Sequence, residues 1–192
     1  MNRSKLSLLS LILSGTLLSS GFFLFEKFSF TPGEQQAAPD RYPSSLSETY
    51  LDKQVPTLFV FAHPKCTCTQ ATLNELSRLK EKVGTQMAVK VFISYDPHDS
   101  FDGQQIEKQA RAIANIDVET DLNRSVARSM GALTSGQTVL YAPEGNLLFQ
   151  GGITISRGHE GSSPGALQIE RIVTGPFIKT QFARTPTFGC HL

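Results

Sequence analysis

The sequence predicts an α/β domain, a mixed central sheet flanked by helices, preceded by an N-terminal transmembrane or signal helix. The prediction rests on two apolar runs of strand length, the helical spacing between and after them, and a separate apolar stretch at the start. "PTLFVFAH" (56–63) is continuously apolar, as a strand buried on both faces must be. "MAVKVFISYD" (87–96) is rich in β-branched and aromatic residues, which fit a pleated surface. Between them Leu73, Leu76, Leu79 and Val83 recur at helical spacing, and Gly84 follows as a stop.

The remaining elements follow in chain order. Ile106, Ala110 and Ile113 predict a second helix after Gly103. "LNRSVARSMGA" reads as a short third helix closed by Gly131. "TVLYAPEGNLLFQGG" is a hairpin whose two strands flank the turn Pro143-Glu144-Gly145. Ala166 to Val173 gives a last helix between Gly165 and Gly175. The order β-α-β-α-α-β-β-α implies a parallel first pair of strands joined by a right-handed crossover.

The chain starts differently. Arg3 and Lys5 precede about twenty uncharged residues, Leu6 to Phe25, a length that crosses a hydrocarbon core as a helix. The leading positive charges favour a cytoplasmic N-terminus. A signal peptide cut near Ser19 to Gly21 is the competing reading, but no A-x-A site is present and Phe22 to Phe25 prolong the apolar run. The expectation is a single-pass anchor in the inner membrane with the domain in the periplasm, or an exported periplasmic domain if the segment is cleaved. The layout expected is an anchor or signal over 1–30, a flexible tether over 31–54, the α/β domain over 55–175, and a tail over 176–192 that packs on the domain. "TPGEQQAAPDRYPSSLSET" suggests the tether by its prolines and lack of period. The tail carries Phe177, Ile178, Phe182, Phe188 and Leu192, too apolar to float in water.

With 18 basic and 17 acidic residues the formal charge is +1, which leaves no basic field for nucleic acid. Three cysteines are too few for a disulfide scaffold, and an odd count leaves at least one thiol unpaired in a monomer. Two of them, Cys66 and Cys68, sit in "HPKCTCTQ", one residue apart where a buried strand gives way to a helix. Unpaired N–H groups and the helix dipole there favour a thiolate, the reacting species. Cys66 is better placed than Cys68, with Lys65 and His63 as possible positive neighbours. A Cys66–Cys68 disulfide would close a very small ring, and strained bonds of that kind exchange readily. Cys190, three residues from the end in "FGCHL", is either a free terminal thiol or a third member of the site, brought back by the apolar tail.

The segment from Pro56 to about Gly175 resembles a thioredoxin-fold domain of the membrane-tethered redoxin type. The likeness is carried by "TLFVFAHPKC", by "VETDLNRSVARSMGAL" and by the hairpin "TVLYAPEGNLLFQGG". More narrowly, "HPKCTCTQA", "TSGQTVLY", "GGITISRGHEG" and "FGCHL" resemble RedB-type redoxins. The resemblance implies a thioredoxin-like fold and thiol–disulfide exchange. Two departures from the common pattern fall at the site, and the aromatic and paired small residues that usually flank the motif are missing as well. C-x-x-C would put the second cysteine at Thr69, whereas it stands at Cys68, and Gly136 holds the place where a cis-proline is usual.

Three functions remain open at this point. One is a tethered thiol–disulfide oxidoreductase acting through Cys66, Cys68 and Cys190 on a thiol- or disulfide-bearing protein, with sulfur carrying the chemistry and neither cofactor nor metal required. The second is a copper-handling protein, in which His63, Cys66 and Cys68 supply soft ligands and His159 or the Cys190-His191 pair completes the set. The third is a redox-inactive adaptor. Zinc fits less well, since a closed tetrahedral site needs a fourth ligand. His98 in "DPHDS" and His159 in "SRGHEG" otherwise read as solvated loop residues.

Overall fold

The computed structural model describes residues 3–95, 104–175 and 182–192, so His98, Phe177 and Ile178 lie outside the described residues. The chain divides into two units, the N-terminal segment up to Thr31 and a domain from Pro32 to Leu192.

The first unit is one helix, α1 (Arg3–Phe30). Its stretch Leu9–Phe30 spans 22 residues at a mean hydropathy of 1.5, long and apolar enough to cross a membrane, a test that a signal sequence also passes. Polar residues inside this stretch are reconciled with it locally. Ser14 and Thr16 donate their hydroxyls to the carbonyls of Leu11 and Leu13, one turn back, so neither presents an unpaired donor.

In the second unit a six-stranded mixed sheet has the order β3-β2-β1-β4-β5-β6. Strand β1 (Thr57–Ala62) lies at its centre, pairing parallel with β2 (Ala88–Tyr95) and antiparallel with β4 (Gln137–Tyr141). All six residues of β1 are buried, because both sheet faces are covered and alternate side chains serve different cores. Leu58, Val60 and Ala62 pack with Leu73, Leu76 and Leu79 of α2 (Thr67–Val83) and Ile169 of α5 (Pro164–Thr174). Phe59 and Phe61 face the other way, onto Phe92, Tyr141 and the residues of α4 (Ser125–Ser129). Helix α3 (Gln104–Arg111) brings Ile106 and Ala110 to the first core. Strand β5 (Leu147–Gly152) completes the hairpin with β4 across a turn in which Gly145 has φ +86°, a conformation suited to glycine.

Two strands have no counterpart among the expected elements. Strand β3 (Asp117–Leu122) pairs parallel with β2 at the sheet edge. Its sequence DVETDL lacks an apolar run because only Asp121 is fully buried there. Asp121 accepts from the amides of Val126 at 3.0 Å and Ala127 at 2.9 Å, which satisfies the start of α4. Strand β6 (Ala183–Arg184) adds two residues parallel to β5.

The free tether expected over 31–54 is replaced by a segment packed on the domain from Pro32 onward. Helix α4 is too short to cover the aromatic face of Phe59, Phe92 and Tyr141, and residues 32–54 close it. The Tyr42 ring lies 5.8 Å from Phe59 and 5.6 Å from Tyr141, edge-on to the latter. Ala38 and Leu51 are buried in the same cluster. The backbone is tied down as well. Leu147 donates to the Asp40 carbonyl at 2.9 Å, the Tyr141 hydroxyl to Pro39 at 2.9 Å, and Ala38 to Gln150 Oε1 at 3.0 Å.

Candidate active site: three thiols at a helix start

The site forms where β1 ends and α2 begins. Cys66 is the N-cap of α2, with φ −87° and ψ 113°, and its side chain makes no capping bond to the helix amides. The turn that sets it is closed by short-range bonds: Cys66 N–H donates to the His63 carbonyl at 3.1 Å, and Lys65 N–H to His63 Nδ1 at 3.1 Å. Thr69, at the position a C-x-x-C motif would give to cysteine, is buried. Its hydroxyl lies 2.8 Å from that of Ser135 and 3.2 Å from the His63 carbonyl, and His63 N–H donates to the Ser135 hydroxyl at 2.8 Å. This ring of bonds clamps the cysteine turn to the loop before β4.

The same loop seats the C-terminus. Ser135 N–H donates to the Cys190 carbonyl at 2.8 Å, Leu192 N–H donates to the Leu133 carbonyl at 2.9 Å, and Thr134 pairs antiparallel with His191. Phe188 and Leu192 are buried, whereas Phe182 is exposed. Gly189 allows the approach, since a Cβ there would overlap the Ser135 carbonyl oxygen. Gly136 has φ +88°, and a Cβ on it would stand 2.7 Å from Thr72 Oγ1. A loop in that conformation, against the start of α2, takes glycine where proline was the usual expectation.

Cys190 Sγ consequently lies 2.7 Å from Cys66 Sγ, and Cys190 N–H points at the same sulfur at 3.4 Å. The sulfurs of Cys66, Cys68 and Cys190 all lie within 4.8 Å of one another. Cys66 and Cys68 are buried and Cys190 is exposed. Of the sequence-derived candidates, the three cysteines therefore converge. Among the described residues no histidine joins that cluster. The His63 ring instead caps its own turn, and His159 is exposed with Nδ1 2.8 Å from the Arg157 carbonyl.

The three thiols are driven apart in acidity. Burial is the largest influence on Cys66 and pushes its thiol up. Hydrogen bonds from the Cys190 thiol and amide, the Cys68 amide and the Thr69 hydroxyl together outweigh it and hold Cys66 below the ordinary thiol range. Cys68 is raised by burial and by the neighbouring Cys66 charge, with Arg157 opposing. Although Cys190 as a residue is exposed, its sulfur is partly enclosed beside the other two. That partial burial together with the bond to Cys66 pushes it up to about 12, again against Arg157. The shifts run in opposite directions, Cys66 down and its two neighbours up, so Cys66 is the most readily ionised of the three.

Thr69, Ser135, Gly189 and Arg157 are the site residues that sequence reasoning missed. Arg157, whose guanidinium donates to the Gly189 carbonyl, stands in the same "RGHEG" stretch as His159. The positions of Ser135 and Gly189 become meaningful only once the tail is seated.

No protein-family profile matches the chain, and no curated protein does. Solved structures do. A hypothetical protein from Sinorhizobium meliloti 1021 aligns with a TM-score of 0.57 at 19% identity, over 85% of this chain and 94% of that one. An uncharacterized conserved protein from Geobacillus kaustophilus aligns with a TM-score of 0.59 at 16% identity, over 84% and 91%. A secreted Mycobacterium tuberculosis disulfide oxidoreductase homologous to E. coli DsbE is a looser match, with a TM-score of 0.44 at 14% identity over 77% and 96%. A parallel β-α-β unit feeding an antiparallel hairpin, with a cysteine at the start of the intervening helix, gives the chain a thioredoxin-like α/β fold.

Proposed function

We propose that the protein is a membrane-tethered, periplasmic thiol–disulfide oxidoreductase whose nucleophile is Cys66 and whose first resolving thiol is Cys190. The observation that carries this is the 2.7 Å contact between the two sulfurs, made by a tail that backbone bonds hold in register beside α2. The narrower likeness to RedB-type redoxins agrees with it, since "FGCHL" supplies the third thiol. The partner is a protein that presents a disulfide or a dithiol, and α1 serves to hold the domain at the inner membrane.

In the reducing direction the Cys66 thiolate attacks one sulfur of a partner disulfide. A Cys66–partner bond forms, the partner's S–S bond breaks, and its second sulfur leaves as a thiolate that takes up a proton. Cys190 then gives up its proton and attacks Cys66 Sγ. The mixed disulfide breaks, the second partner thiol leaves, and the chain holds a Cys66–Cys190 disulfide, two electrons having passed to the partner. Oxidation of a partner dithiol is the same sequence reversed. Cys68, within 4.8 Å of both other sulfurs, is the alternative resolving thiol.

Incubating the reduced, detergent-solubilised chain with a disulfide-bonded model protein tests this. Cys66→Ser should abolish reduction, and Cys190→Ser should accumulate a Cys66-linked mixed disulfide. Full activity in Cys66→Ser would dismiss the reading.

A further inference from the structure

We infer that the three thiols, when reduced, form a binding site for a single Cu(I) ion, with Cys66, Cys68 and Cys190 as its three ligands. This goes beyond redox exchange and differs from a copper site built on His63, because the convergent donors are three sulfurs from two separate parts of the chain.

The geometry suits one metal ion. The three sulfurs lie within 4.8 Å of one another. Three thiolates bonded in a plane to one ion at about 2.3 Å would stand about 4 Å apart, a spread that fits inside this cluster. Cys66 and Cys190, now in contact, would part to admit the ion. The Cys66 turn and the Cys190 tail both stay tied to the 133–135 loop, so the sulfurs part by movement of the side chains and neither backbone must refold.

The donor set selects the metal. Thiolates are soft ligands that favour Cu(I), zinc and iron–sulfur clusters. A structural zinc site closes with four ligands, and among the described residues no histidine, aspartate or glutamate joins the three sulfurs. Three thiolates around a monovalent ion leave a net negative charge, and the surroundings offset it. Cys66 Sγ accepts from the amides of Cys190 and Cys68, and the Arg157 guanidinium acts on both Cys68 and Cys190. Two ligands are buried and one is exposed, so an ion can enter or pass to another thiol protein from the Cys190 side.

Metal binding and disulfide formation exclude each other here. When a disulfide-bearing partner oxidises Cys66 and Cys190, their bonds to the ion break and the Cys66–Cys190 bond forms. The two electrons pass to the partner's S–S bond, which breaks to two thiols on taking up two protons, and the ion is released still as Cu(I).

The test is anaerobic titration of the reduced, detergent-solubilised full chain with Cu(I) against a chromophoric Cu(I) chelator, with X-ray absorption on the product. The expected result is one Cu(I) per chain in a three-sulfur shell. Cys190→Ser should weaken binding by at least about tenfold and leave a two-sulfur shell. His159→Ala should bind as wild type does. The wild-type chain carrying the Cys66–Cys190 disulfide, which needs no substitution, should not bind. Unchanged affinity in Cys190→Ser, a nitrogen ligand in the shell, or binding by the disulfide form would each overturn the proposal. Loss of oxidoreductase activity would not bear on it, because the ion is measured directly.

Discussion

The amide of Ser135 donates to the carbonyl of Cys190 at 2.8 Å, while the hydroxyl of the same serine accepts from the amide of His63. One residue thus bonds both the tail that carries Cys190 and the turn that carries Cys66. The 2.7 Å contact between the sulfurs follows from this shared anchor rather than from an accident of a loose terminus.

Gly189→Ala should disrupt that anchor. The added Cβ would overlap the Ser135 carbonyl oxygen, and backbone cannot yield as a side-chain tip can. We expect a loss of about 1–3 kcal/mol in stability, typical of overpacking. The yield of Cys66–Cys190 disulfide under a mild oxidant should fall as well. Thermal unfolding and thiol counting check the two effects, and a wild-type disulfide yield would refute the role given to Gly189.

Alkylation as a function of pH should separate the thiols. Cys66, held below the ordinary range, should react at a lower pH than Cys68, and Cys190 should resist until strongly alkaline pH. The coupling has a sign that can be tested. The Cys66 charge and its bond to Cys190 help to raise Cys190, so Cys66→Ser should bring the Cys190 thiol down from about 12. An unchanged Cys190 profile in that variant would mean burial alone sets it.

Tyr42→Ala measures what the segment 32–54 contributes. Its ring fills the space between Phe59 and Tyr141, and its hydroxyl donates to the Ser47 carbonyl at 2.8 Å. Removing it should cost on the order of 2–4 kcal/mol. A change within about 0.5 kcal/mol, as for an ordinary surface site, would return the segment to the status of a tether.

Alkaline carbonate extraction of cell membranes addresses the placement of α1. Retention of the full-length chain in the membrane fraction is the expected outcome. A shorter, soluble periplasmic form would replace the anchor with a cleaved signal.

Much of the fold was legible because burial imposes a period. β1 reads as a strand from its unbroken apolar run, and α2 from leucines at helical spacing. β3 does not, because an edge strand with one buried residue, the polar Asp121, has no hydrophobic pattern to detect. The segment 32–54 hid for a related reason: the buried Ala38 and Leu51 and the half-buried Tyr42 fall at irregular spacing, in backbone without a repeat. In the site, Cys66 was locatable from the strand-to-helix junction and Cys190 from the apolar tail around it. Ser135 and Arg157 were not, since their partners lie far away in sequence. Local chemistry also reassigned a candidate, as the His63 ring accepts from Lys65 and closes the turn.

The most direct test of the central claim is disulfide mapping by mass spectrometry of the oxidised full-length chain. Mild oxidation should give one dominant bond, Cys66–Cys190, with Cys68 recovered as a free thiol. A dominant Cys66–Cys68 bond, or three thiols that remain unoxidised, would contradict the assignment of Cys190 as the resolving thiol.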